Sequence, residues 1–239
     1  MEPGDNHFSS HLHELRQRVF ICVLTIALMS GISYMFRVPI ADFLVAPLFK
    51  AYPDLATFIY TNLTEALFSY IKLAILVGII ASFPILCYQV WMYIAPGLHK
   101  NEQKTVFFIV FFSTSLFAAG AAFAYFVVLP KMLSFFMSFA AENIQPKPKF
   151  GLYLTFVSRT SLAFGLAFEI PFLMAASAKI GWVKNKYFSK KRPYFYIAIL
   201  VLAFLLTAGD VLGAILLAFP LFALYEAGIL TTRLFPGKR

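Results

Sequence analysis

The sequence predicts an all-α polytopic membrane protein with six transmembrane helices, short fifth and sixth helices, and both termini in the cytoplasm. Three observations lead there. The 239 residues are 61% hydrophobic and only 13% charged, whereas a soluble domain is about half apolar and a quarter charged. Apolar runs of membrane-spanning length recur along the chain, each needing ~20 residues to cross. Finally, the Lys and Arg residues gather in alternate connecting segments, the bias that orients membrane proteins.

The first 17 residues, MEPGDNHFSSHLHELRQ, are polar, acidic and then basic, with no cleavable leader pattern. The run that follows is therefore expected to stay as an anchor. Ser10 is a candidate N-cap for a helix in which Leu12, Leu15 and Val19 share a face and Glu14 and Arg18 form an i,i+4 pair. The first span covers about 18–36. Residues 37–64 follow, with VPIADFLVAPLFKAY read as short helices on the outer surface.

The second span, about 66–90, carries Lys72 and Pro84; Glu65 and Lys72 are read as an interface anchor pair. A Pro-Gly turn leads to the third span, about 105–129, and residues 130–150 read as an amphipathic outside piece. The fourth span, about 152–178, contains Arg159, read as a side chain that snorkels to the outer leaflet, and Glu169. An apolar run from Tyr194 to Leu230 is too long for one span and short for two. It divides at Ala208-Gly209-Asp210 into spans of about 194–208 and 211–229. Fifteen residues reach only ~22 Å, against a hydrocarbon layer of ~30 Å, so this hairpin thins the bilayer or ends below its surface.

With the N-terminus inside, thirteen of the twenty Lys and Arg residues lie in cytoplasmic segments and five outside. This positive-inside pattern accounts for the +9 charge and excludes a nucleic-acid partner. Cys22 and Cys87 fall inside spans and read as packing residues. No internal repeat appears, so a single integral membrane domain covers 1–239.

Few residues carry chemistry. Glu169 lies ten residues from Lys179, ~15 Å up the fourth span, where an ionised carboxylate is expensive and reads as functional. Pro171 behind it implies a kink. Asp210 reads first as the N-cap of the last helix. Glu14 and Glu102 are carboxylates on a basic face, suited to a cationic ligand. Guanidinium groups pair with them through two parallel bonds that ammonium cannot match. No metal or cofactor is expected: His11 and His13, two apart, do not share a helical face. No serine in a span has an intramembrane histidine to act as its base, so the chain is not read as an enzyme.

Seven segments taken together resemble the TatC family in the family's order. They are HLHELRQR at 11–18, VAPL at 45–48, TEALFSYIKL at 64–73, YQVWMYIAPGLHKNE at 88–102, AFAYFVVLP at 122–130, FEIP at 168–171 and KKRPY at 190–194. The resemblance implies the receptor and core of the twin-arginine translocase, which exports folded proteins using the proton-motive force across a bacterial inner membrane. It implies signal-peptide contacts at Glu14, Arg16, Gln89, Tyr93, Lys100 and Glu102. It further implies transport or partner roles for Pro47, Glu169 and Asp210. TatA- and TatB-like single-span subunits are expected along the last two helices, with self-association in a larger complex. Tyr93 replaces the commoner Phe, Thr207-Ala208-Gly209 replaces a proline-containing turn, and Ala214 stands where some relatives carry Gln. The competing reading is a proton-coupled small-molecule transporter using Glu169 and Asp210.

Overall fold

A computed structural model describes residues 3–51, 58–59, 64–94, 103–138, 147–180, 183, 187–207 and 210–234. The elements are α1 (Pro3–Met35), α2 (Arg37–Ala51), α3 (Glu65–Ile94), α4 (Gln103–Phe123), a π-helical turn (Ala124–Val128), α5 (Leu129–Met137), α6 (Phe150–Ile180), α7 (Tyr187–Lys190), α8 (Arg192–Leu206) and α9 (Val211–Leu234). Five segments are long and apolar enough to cross a membrane, within α1, α3, the α4–α5 stretch, α6 and α9; α8 is a shorter apolar helix. Among the described residues the chain is all-α, with one isolated bridge between Ile59 and Lys149.

Three boundaries differ from the sequence reading. Helix α1 begins at Pro3, so Ser10 lies inside it and does not cap it. Proline is tolerated in a first helical turn, where its missing N–H has no intrahelical acceptor. Residues 130–137 are not a separate outside piece but continue the third span as α5. The π turn makes this possible: the Leu129 N–H reaches back five residues to the Ala124 carbonyl, and Pro130 then falls in the first turn of a new helix. Lastly, α8 is short, 15 residues, but α9 runs for 24 and passes through Glu226.

The residues form two compact units, 1–41 with 70–115 and 42–69 with 116–239. In the first, α1 and α3 meet at Gly78. A Cβ there would lie 2.6 Å from the Ser30 nitrogen and 2.7 Å from its Cα, so only glycine permits this approach. Nearby, the Arg37 guanidinium stands over the Tyr34 ring at 4.9 Å, a cation–π contact.

The second unit has a continuous apolar core drawn from the π turn, α5, α6, α8 and α9. Phe164, Leu217, Leu221 and Tyr225 are fully enclosed in it. Helix α9 packs against both α6 and α8. The α8–α9 hairpin closes at the end opposite its turn through Glu226. Its carboxylate accepts from Arg192 at 2.7 Å and from the Tyr196 hydroxyl at 2.6 Å. The Tyr225 hydroxyl donates to the Phe188 carbonyl at 2.9 Å, and its ring stacks on Phe195 at 5.0 Å. Glu226 continues α9 because α8 meets its charge.

Candidate functional site

Near the start of the first span, α1 places Glu14 and Arg18 one turn apart. The Arg18 guanidinium donates to Glu14 Oε1 at 2.5 and 3.0 Å. It also donates to Gln89 Oε1 of α3 at 3.2 Å. Arg18 thus joins two of the sequence-predicted site residues, Glu14 and Gln89, across two helices. The i,i+4 spacing announced the first contact; nothing local announced the second. Glu14 keeps about a third of its side chain exposed (33%), and Arg16 is exposed beside it. Tyr93 lies one turn beyond Gln89 and is half-buried. Lys100 and Glu102 lie outside the described residues.

Pro47 sits inside α2, where it has no N–H to offer the carbonyl four residues earlier, that of Phe43. The Tyr125 hydroxyl, from the π turn, donates to that carbonyl, and the Tyr125 and Phe43 rings stack at 4.5 Å and 11°. The Tyr153 hydroxyl of α6 donates to the next carbonyl, Leu44, at 3.1 Å. A cavity of about 470 Å³ opens beside this joint, lined by Phe43, Pro47, Lys50, Phe126 and Pro130 among others.

Glu169 is 5% exposed. At helical spacing its face of α6 also carries Ser158, Ser161 and Gly165. Ser158, Thr160 and Ser161 are buried, and their hydroxyls lack hydrogen-bond partners among the described residues. A buried acid on a helix supplied with hydroxyls is a place where polar groups are held away from bulk water.

Asp210 caps α9. Its Oδ2 accepts from the Gly213 N–H at 2.8 Å, and its carbonyl accepts from the Ala214 N–H at 2.9 Å. The Asp210 N–H donates back to the Thr207 carbonyl at 3.3 Å. A Cβ at Gly213 would meet Asp210 Oδ2 at 2.5 Å, so a larger residue there would shift the capping carboxylate. The carboxylate remains exposed and lines a cavity of about 340 Å³ with Arg159, Lys149 and Thr207. Asp210 and Glu169 are not neighbours: Asp210 shares a cavity with Arg159, and Glu169 lies ten residues, ~15 Å, further along α6. Among the described residues no cluster of His, Cys, Asp and Glu has the makings of a metal site.

The chain as a whole is similar to known proteins. The sequence profile of the TatC family, Sec-independent protein translocase protein, matches residues 10–220. The Sec-independent protein translocase protein TatC of Desulforapulum autotrophicum is 37% identical over 238 residues, covering 100% of this chain and 88% of the relative. That of Escherichia coli K12 is 37% identical over 229 residues, covering 96% and 89%. A crystal structure of the twin arginine translocase receptor TatC superposes with a TM-score of 0.87 at 35% identity, covering 94% of this chain and 98% of that one. That family consists of translocase components rather than enzymes, and its six-helix fold is the one described above. With sequence similarity along most of its length and its helical architecture shared, this multi-pass membrane chain belongs to the TatC family of Sec-independent protein translocase components.

Proposed function

We propose that the chain is the receptor and core subunit of a twin-arginine translocase in a bacterial inner membrane. In this reading it acts as one integral domain with both termini cytoplasmic. It captures twin-arginine signal peptides at that face, then recruits TatA- and TatB-like single-span subunits for the export of folded proteins. The observation that carries the reading is the Glu14–Arg18–Gln89 cluster. Glu14 already holds a guanidinium, bound by two of its N–H groups, so its carboxylate stands ready to accept that group. An incoming signal arginine takes the place of Arg18 on Glu14, and Gln89 offers its amide oxygen to whichever guanidinium stands there. The second signal arginine is assigned to Glu102, with Lys100, Arg16 and Tyr93 around the peptide. An exposed ion pair is worth only ~0–1 kcal/mol. Preference for Arg over Lys therefore comes from the planar fork of donors rather than from charge.

Pro47, Glu169 and Asp210 belong to the later step. The α8 helix favours recruitment of single-span subunits there. Tyr194, Ile197, Val201, Phe204 and Leu205 form an exposed apolar face that either lipid or a partner helix can cover. Family membership favours this reading over a proton-coupled transporter using Glu169 and Asp210. Proton-motive force is assigned to the assembled translocase.

The test is binding of a purified twin-arginine signal peptide to the full chain in detergent. Glu14→Gln and Glu102→Gln are each expected to weaken binding about tenfold, and Glu65→Gln to leave it unchanged. A twin-lysine peptide is expected to bind the wild type as weakly as the twin-arginine peptide binds Glu102→Gln. Equal effects of Glu65→Gln and Glu102→Gln would remove the recognition site from this face.

A further inference from the structure

Arg159 has no place in the proposed translocation steps, yet it is a permanent cation in a membrane-spanning helix. It lies nine residues past the start of α6 at Phe150, ~13 Å along the axis. Its side chain is exposed and forms no hydrogen bond or ion pair with another described residue. A guanidinium does not deprotonate in a protein, so at this depth it must reach phosphate or water. The neighbouring helix supplies the way. Helix α8 spans only 15 residues and ends at Leu206, which draws the headgroup layer inward around the α8–α9 turn. The cavity of about 340 Å³ beside that turn is lined by Arg159, Lys149 and Asp210, with Leu152, Phe156 and Leu206 as apolar wall.

The charges around it are unequal. Two cations, Lys149 and Arg159, face one acid, and Asp210 already has Oδ2 engaged by the Gly213 N–H. An anion with an apolar tail matches this combination of charge and wall. We propose that the cavity binds one phospholipid of the leaflet on the side of the α8–α9 turn. Its phosphate is held by Arg159 and Lys149, and an acyl chain lies along Leu152, Phe156 and Leu206. Arg159 takes two phosphate oxygens through its fork of donors, and Lys149 adds a point charge at the rim.

Native mass spectrometry of the full chain in detergent, titrated with dioleoyl phosphatidylglycerol, tests this. Arg159→Gln is expected to weaken retention of one lipid about fivefold and Lys149→Gln about twofold. Lys72→Gln, which removes an exposed cation on α3, is expected to change nothing. Leu206→Trp, which fills the wall, is also expected to lower retention. On the wild-type chain alone, dioleoylglycerol, which has the same tails and no phosphate, is expected to be retained at least about fivefold less; this arm stands even if a variant fails to fold. Equal retention of the two lipids, or undiminished phosphatidylglycerol on Arg159→Gln, would overturn the assignment. Displacement of the lipid by millimolar inorganic phosphate, with Leu206→Trp silent, would make this a site for the free anion and overturn it as well.

Discussion

The Tyr125 hydroxyl donates to the Phe43 carbonyl, the acceptor that Pro47 leaves without its helical donor. A proline within α2 thus has a partner on another element, and the two are expected to be coupled in stability. Tyr125 is nearly buried, so Tyr125→Phe strands a carbonyl and is expected to cost about 1–2 kcal/mol in detergent unfolding. Pro47→Ala restores an N–H four residues beyond Phe43. In that background Tyr125→Phe is expected to cost less, with a coupling of about 0.5–1 kcal/mol. Additive losses would show that the two residues act separately.

Asp210 offers a clean separation of cap from function. Asp210→Ala removes the acceptor for the Gly213 N–H and is expected to lower stability by about 0.5–2 kcal/mol, while Asp210→Asn keeps the cap at nearly full strength. Thermal unfolding gives the first quantity and export of a twin-arginine precursor the second. Normal export by Asp210→Asn would confine Asp210 to a structural role; lost export at unchanged stability would extend it.

The Glu226 carboxylate accepts from both Arg192 and Tyr196. Glu226→Ala is expected to destabilise the hairpin by about 1–2 kcal/mol, and Glu226→Gln, which still accepts from the Tyr196 hydroxyl, by roughly half that. Hydrogen exchange along 192–206 is the suitable readout, and protection unchanged in Glu226→Ala would dismiss the contact as dispensable.

Glu169 is expected to act after cargo capture. Glu169→Ala should leave signal-peptide affinity within about twofold of the wild type while reducing crosslinking of single-span subunits to α8. Loss of affinity with normal crosslinking would reverse the order of the two steps.

The spans were legible because lipid imposes a length and a polarity on each of them. The misread boundaries trace to pairings that a linear string does not display. The last helix was read as short, and the partners that hold Glu226 within its longer course lie 34 and 30 residues earlier. Pro130 looked like a stop, and the preceding π turn makes it a start. Within the candidate site, the Glu14–Arg18 pair and the Asp210 cap were readable from spacing and residue type alone. The link from Arg18 to Gln89, 71 residues apart, and the answer of Tyr125 to Pro47 needed the packing. Tyr125 was visible only as one letter of a family segment.

The π turn at Ala124–Val128 has one more consequence. Its surplus residue sets the angular phase of everything downstream by ~100°. As the chain stands, Met132 is fully enclosed and the adjacent Lys131 faces outward. Closing that turn to α geometry with every residue kept would rotate α5 by that step, swing the ammonium of Lys131 toward the place Met132 now fills, and turn a packed seam into a charged one.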